Sequence, residues 1–185
     1  FQMKKSSVNS NLELTIIVLN YNTGSLFQKC VDSVFKTTEN LNTPLCELIL
    51  IDNASQDKSF TNPEENRVTR IQNKENVGFS KGINQGIRKA QADYIFILNP
   101  DTIVKPSCIK QLLEFAKNTP DAAAVGPKLL NPDGSTQASA FRLPTPWNAV
   151  KEYWLGYKGL YSKYIPQKGP VESLVMAAYL LTSRA

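Results

Sequence analysis

Hydrophobic and polar positions along this chain are grouped in blocks: short apolar runs end in polar clusters, which lead into stretches with helical spacing. The first run, Leu14 to Leu19, is rich in β-branched residues and predicts a strand, with Asn20-Tyr21-Asn22-Thr23-Gly24 after it. Leu26, Phe27, Cys30, Val31, Val34 and Phe35 then recur at the spacing of one face of an amphipathic helix. Leu48 to Ile51 predicts a second strand, closed by the turn-rich cluster Asp52-Asn53-Ala54-Ser55-Gln56-Asp57. Val68 to Ile71 predicts a short third strand ending in Gln72-Asn73. Ile83, Ile87 and Ala90 mark one face of a helix over 79–91, and Tyr94 to Leu98 is a fourth strand. Pro106 stands where the first turn of a helix is expected, and Leu112, Leu113 and Ala116 carry that helix to about Asn118.

Strands that are apolar throughout are buried on both faces, and their alternation with helices predicts an α/β domain with a mainly parallel sheet. The consequence is positional. Asn20-Tyr21-Asn22, Asp52-Asn53, Asn73 to Gly78 and Asn99-Asp101 each follow a strand, so a parallel sheet brings all four to one rim, where open α/β sheets bind ligands. Asn99-Pro100-Asp101 alone reads as a turn, because Pro100 cannot donate to a ladder and Asn and Asp are common turn residues. Set beside three other polar strand ends it becomes part of a cleft. Asp101 and Asn99 there offer oxygen ligands suited to Mg²⁺ or Mn²⁺.

Composition narrows the chemistry. The chain contains no histidine, which excludes histidine bases, histidine triads and histidine metal ligands from its own residues. Three widely spaced cysteines, Cys30, Cys46 and Cys108, argue for free thiols in a reducing cytoplasm and against a disulfide scaffold or a zinc site. The net charge of +5 suits anionic ligands or the inner face of a membrane, whereas the basic residues form no run that would favour nucleic acid. No apolar run reaches the ~18 residues of a bilayer span, and a length of 185 residues predicts one main core.

Gly82 and Gly86 lie four apart on one helix face, each costing ~1 kcal/mol relative to Ala. Close approach of that helix to a neighbour or a ligand is the expected reason, with packing on the sheet at least as good a reading as a ligand. Lys81 and the helix N-terminus are attractive to phosphate. The spacing matches neither a Walker loop nor the dinucleotide glycine fingerprint.

In order, Ile17-Val18-Leu19-Asn20-Tyr21-Asn22, Ile51-Asp52-Asn53-Ala54-Ser55-Gln56-Asp57, Asn76-Val77-Gly78-Phe79 with Asn84-Gln85-Gly86, and Leu98-Asn99-Pro100-Asp101 resemble a family 2 glycosyltransferase. The similarity is greatest to rhamnosyltransferase-like bacterial members, into which Val125 to Gly134 also fits, and it covers about Leu14 to Arg142. The resemblance implies a GT-A fold, incomplete at its C-terminus, and an inverting transfer from a dTDP- or UDP-sugar. The acceptor would be a cell-surface polysaccharide or lipid-linked saccharide, and a divalent cation would assist. It implies that Tyr21 stacks on the nucleobase, that Asp52 hydrogen-bonds the base edge, and that Asn20, Asn22, Asn53, Asn76, Gly78 and Lys81 complete the nucleotide site. Asp101 would hold the metal, with neutral Asn99 where other members carry a carboxylate, which loosens metal dependence.

The organisation expected from these residues is a flexible tail over 1–12, a nucleotide-sugar-binding α/β domain over 13–136, and a partial acceptor-side region over 137–185, an irregular aromatic-rich loop plus a strand. In the family an acidic motif supplying the base follows that last strand, but no acidic residue follows Glu172 in this sequence. The expectation is therefore the N-terminal portion of a longer enzyme, one that binds nucleotide but transfers poorly, with Glu172 a weak substitute for the base. A GT-A-like nucleotidyltransferase and a non-catalytic nucleotide-binding module are the competing readings. The former wants a Gly-rich, basic signature after the first strand, which Asn20-Tyr21-Asn22-Thr23-Gly24 lacks.

Overall fold

The computed structural model of the chain describes residues 12–39, 46–60, 67–143, 145–159 and 162–182, so nearly all of the expected N-terminal tail lies outside it. The expected α/β alternation is present: β1 (Leu14–Asn20), α1 (Ser25–Glu39), β2 (Cys46–Asp52), β3 (Val68–Gln72), α2 (Phe79–Lys89), β4 (Tyr94–Leu98) and α3 (Cys108–Lys117). After them come β5 (Ala124–Val125), β6 (Ala140–Phe141), α4 (Pro146–Tyr153), β7 (Ser173–Leu174) and β8 (Ala178–Leu181). Pro106 lies before α3 and not in its first turn, since Ser107 is the residue that caps the helix. Among the described residues no helix is long and apolar enough to cross a membrane.

The chain divides into two compact units: one runs through Val125 and resumes at Ala177, and the other is Gly126–Met176. The first is built on a six-stranded sheet of order β3-β2-β1-β4-β8-β5. The four strands β3, β2, β1 and β4 are parallel, and β8 runs antiparallel to β4 and β5. From β1 the chain winds outward through β2 to β3 and then returns to the other side of β1 as β4. Right-handed connections make that reversal a switch point between β1 and β4, with a crevice outside their carboxyl ends. Seven apolar residues on one sheet face, Ile17, Leu19, Ile49, Ile51, Ile95 and Ile97 with Ile83 of α2, form a continuous buried cluster.

α2 lies unusually close to this face, and its glycines are why. A Cβ on Gly86 would meet Ile17 Cγ2 at 2.8 Å and Ile51 Cδ1 at 3.0 Å, and one on Gly82 would overlap Leu19 Cδ1. Both glycines are buried and serve packing on the sheet.

The second unit contains more regular structure than its sequence advertised. α4 starts at Pro146, with Thr145 Oγ1 accepting from Asn148 N at 3.1 Å, a cap-and-proline start within a stretch read as an irregular loop. β6 pairs with β7 antiparallel, Ala140 opposite Leu174. A tight hairpin bridges Leu130 and Thr136, with Asn131-Pro132-Asp133-Gly134 at its tip. The stretch read as one terminal strand is two, β7 and β8, one in each unit.

Candidate functional site

The register of the parallel strands fixes the rim. Asn20 lies opposite Asp52, and Asp52 lies opposite Gln72, so the ends of β1, β2 and β3 are level. Leu98 ends β4 opposite Val18, and Asn99 follows at the neighbouring position along the edge. The four polar clusters are thus contiguous, as the parallel arrangement requires.

Two of them are locked together. Asn20 is fully buried (0 % exposed). Its amide N–H groups are shared between Ser59 Oγ at 2.8 Å, Ser55 Oγ at 3.0 Å and Asp52 Oδ1 at 3.2 Å, while Thr23 Oγ1 donates to its Oδ1 at 2.5 Å. A residue expected on the ligand surface is therefore an internal brace. Asn22 N donates to Ser55 Oγ at 3.1 Å, Gln56 N to Asn22 Oδ1 at 2.8 Å, and Gly24 N to Asp57 Oδ2 at 2.8 Å. The Ser59 hydroxyl, then the backbone N–H groups of Ser59 and Gly24, hold the Asp57 carboxyl below the usual carboxylate range. Asp57, which the sequence offered only as one turn residue among several, fastens the β1 loop to the β2 loop. Among the described residues four non-glycines adopt positive φ, and Asn22, Ala54 and Lys58 in these two loops are three of them. Strain gathered in this way marks loops whose shape matters more than their own stability.

The next pair of clusters is joined by neutral amides. Asn53, buried, donates through Nδ2 to Asn76 Oδ1 at 2.7 Å and accepts at Oδ1 from Asn73 Nδ2 and Val77 N, each at 3.1 Å. Asn73 and Gln85 exchange two hydrogen bonds, Nδ2 to Oε1 at 3.0 Å and Nε2 to Oδ1 at 2.9 Å. These contacts tie the end of β2, the 73–78 loop and α2 into one body. Asn73 lies in the cluster after β3 and Gln85 in the Asn84-Gln85-Gly86 stretch, and a pair of amides twelve residues apart carries no pattern that predicts their pairing. Gly78 begins α2 at φ 83, with no side chain capping the helix. Open space lies where its Cβ would be, and Lys81 is exposed nearby in the first turn.

Asp52 is buried (8 % exposed), accepting from Asn20 Nδ2 and, at 3.3 Å, from Ser55 N. Tyr21 keeps 45 % of its surface exposed beside it along the β1 loop. At the β4 end, Thr102 N and Thr102 Oγ1 both donate to Asn99 O, at 3.2 and 2.6 Å, which closes a turn with Pro100 at its second position. Asn99 N donates to Ala177 O at 2.8 Å, and Cys30 Sγ reaches Asn99 O from beneath at 3.5 Å. Burial pushes the Cys30 thiol up to about 12, against the pull of the Thr102 hydroxyl, so the sulfur is a protonated support and not a nucleophile. The Asp101 carboxylate projects from this turn exposed, with no hydrogen bond or ion pair among the described residues.

Glu172 is placed differently. Its Oε2 accepts from Leu143 N at 2.7 Å, beside the β6–β7 ladder, which gives this exposed carboxylate a local structural task. Among the described residues no group of three or more acidic or thiol side chains is gathered as a metal cluster. Asp101 and Asn99 accordingly offer one charge and one amide. That set fits a Mg²⁺ or Mn²⁺ that is also held by substrate phosphates, and does not fit a cation caged by protein alone.

The comparisons with known proteins agree with this architecture. The glycosyltransferase GlyG of Streptococcus pneumoniae is 29 % identical over 61 % of this chain and 38 % of its own length. The N-acetylglucosaminyl-diphospho-decaprenol L-rhamnosyltransferase of Mycobacterium tuberculosis is 26 % identical over 71 % of this chain and 46 % of its own. The chain thus spans less than half the length of either relative. Among solved structures, the Pyrobaculum calidifontis mannosyltransferase PcManGT in complex with GDP-Man and Mn²⁺ aligns with a TM-score of 0.55 at 20 % identity, covering 65 % of this chain and 36 % of that one. The S. aureus TarS 1–349 structure aligns with a TM-score of 0.56 at 16 % identity, covering 92 % and 47 %. At such identities the likeness concerns the fold, which is GT-A. The profile of Glycosyl transferase family 2 matches residues 15–183, nearly the whole chain, and the chain belongs to that family.

Proposed function

We propose that this chain forms the donor-binding portion of a glycosyltransferase that moves a sugar, with inversion, from a dTDP- or UDP-sugar to a saccharide or lipid-linked acceptor. The observation that carries the reading is the contiguous rim: three level strand ends braced by buried amides, and beside them one exposed carboxylate that forms no bond among the described residues. A ligand surface must be rigid where it shapes the pocket and unsatisfied where it meets the ligand, and this rim is both.

Each residue has a task in that reading. Tyr21 offers an exposed ring to a nucleobase, and Asp52 presents the unused lone pairs of a carboxylate pinned by Asn20 and Ser55 to the base edge. Asn22, Asn76 and Gly78 shape the nucleoside pocket, while Asn20 and Asn53 hold it from behind. Open space at Gly78 lets backbone and ligand approach closely, and Lys81 supplies positive charge for the diphosphate. Asp101, with Asn99, would hold a divalent cation against the diphosphate. When bound, that cation neutralises charge on the departing nucleoside diphosphate. The mannosyltransferase solved with GDP-Man and Mn²⁺ supports both the cation and the donor class. The name of the mycobacterial rhamnosyltransferase supports a lipid-linked acceptor. The proposal assigns no residue as base, because Glu172 is engaged with Leu143 N.

The test is a thermal-shift titration with UDP, dTDP and GDP, each with and without Mn²⁺. A nucleotide at 100 times its Kd adds ~2.7 kcal/mol, and the expected result is stabilisation by at least one, increased by Mn²⁺. Absence of stabilisation by every nucleotide would overturn the proposal.

A further inference from the structure

A second concave feature begins two residues beyond Asp101. A groove of about 420 Å³ runs between α1 and the 103–106 segment. Lys29 and Lys36, seven apart on α1, stand on one wall, and Lys105 belongs to the other. Asp32 is the one acidic residue in the lining, and it already accepts from Gln28 Nε2 at 2.6 Å. The three lysines have no ion pair among the described residues, so the lining carries a net positive charge.

The groove is also built firmly. Val104 N donates to Ser33 Oγ at 3.0 Å, and Ser33 Oγ donates to Cys30 O at 2.7 Å, which fastens the 103–106 segment to α1. Ile103, 61 % exposed, and Pro106 line the same groove. Cations alone would suit any small anion. Cations that share a groove with an exposed aliphatic side chain suit an anion that brings hydrocarbon with it, because ammonium groups on long stems remain with phosphates while the aliphatic residue enters the acyl boundary.

The geometry points to this groove as a docking site for the headgroups of anionic phospholipids, which would hold this face against a membrane surface. The inference does not depend on the donor site: it is carried by α1 and the 103–106 segment, and its failure would leave nucleotide binding untouched.

The experiment is co-sedimentation of the chain with vesicles of phosphatidylcholine alone or mixed with phosphatidylglycerol. Binding is expected only to the anionic vesicles and should fall steeply with salt. At ~1 kcal/mol per lysine near such a surface, each neutralisation lowers affinity ~5-fold, and the triple variant Lys29→Gln, Lys36→Gln, Lys105→Gln lowers it about 100-fold. Ile103→Ser, which changes no charge, should lower it about tenfold. The counter-variant Lys89→Gln, Lys128→Gln, Lys158→Gln, all exposed elsewhere, should bind nearly as the parent does. Equal losses in the two triple variants would reduce the effect to net charge and overturn the site. Full binding by Ile103→Ser, or saturable binding of glycerol phosphate without affinity for anionic vesicles, would overturn the lipid as occupant. Circular dichroism of every variant separates lost binding from lost folding.

Discussion

The tripeptide Asn-Pro-Asp occurs twice in this chain, at 99–101 and at 131–133, and the two copies have opposite fates. Locally they match: Thr102 N donates to Asn99 O and Gly134 N donates to Asn131 O, so each closes a turn with proline at its second position. The difference lies in the carboxylate. Asp133 Oδ1 accepts from Ser135 N at 2.9 Å and from Ser135 Oγ at 2.7 Å, and those bonds hold its carboxyl below the usual range. Asp101 is followed by Thr102, whose hydroxyl turns back to Asn99 O, and among the described residues nothing bonds the carboxylate. One copy satisfies itself within a hairpin. The other is fastened through its backbone to the sheet and keeps its charge available at the rim.

If that contrast reflects function, its largest consequence is in metal-dependent binding. Asp101→Ala should lose the Mn²⁺-dependent part of nucleotide stabilisation, a fall in affinity of about 100-fold, or ~2.7 kcal/mol. Asp133→Ala should retain it in the same titration. Equal losses in the two variants would break the comparison. Asp57→Ala would be a poor control here, since that carboxylate fastens the β1 and β2 loops.

The rigidity of the rim can be tested separately from its charge. Asn53→Ala removes its bonds to Asn76, Asn73 and Val77 N; Asn73 keeps Gln85 and Asn76 keeps Gly78 N, while Val77 N loses its acceptor. The expected cost is ~2 kcal/mol of stability, read by urea denaturation, with nucleotide affinity falling whether or not Mn²⁺ is present. Unchanged stability would mean that the amide network is not a brace.

The charge contrast can also be sharpened by adding a carboxylate. Asn99→Asp doubles the formal charge of the donor set and should raise Mn²⁺ affinity in the nucleotide complex ~10-fold, or ~1.4 kcal/mol. Asn131→Asp, the same change in the other copy, should do nothing to it. A neutral outcome at position 99 would place that side chain outside the metal's reach.

The fold was largely legible because its strands are long apolar runs: β4 spans Tyr94–Leu98 as expected, and the parallel rim follows from topology. β6 and β7, two residues each, are too short to leave a periodic signal, and Thr145-Pro146, a start signal in plain view, was submerged in prolines and aromatics. The site was legible as a set of loops and not as a division of labour. A polar residue at a strand end reads as exposed, yet Asn20 and Asn53 are buried, and apart from Thr23 their side-chain partners lie 20 to 39 positions away. The glycines Gly82 and Gly86 announced close approach, but only the positions of Leu19, Ile17 and Ile51 show to what.

The smallest effect concerns acid. The Asp133 carboxyl is held below its ordinary value by the hydroxyl and then the backbone N–H of Ser135, and Asp57 by Ser59 and Gly24 in the same manner. A carboxyl with a lowered folded value contributes stability that is fully present above the ordinary carboxylate pKa of ~3.9 and disappears as pH falls through the lowered value. Asp133→Asn should therefore melt slightly below the parent at neutral pH, and the two should converge in strong acid, where the parent's side chain is protonated as well. The shift will be small because the group is solvent-exposed and screened. Melting temperatures measured for both proteins from neutral pH down to about pH 2.5 would decide it. A gap that stays constant, or widens in acid, would mean that the hairpin copy does not hold its carboxylate by charge, and the distinction between a self-satisfied turn and an open one would fail at that end.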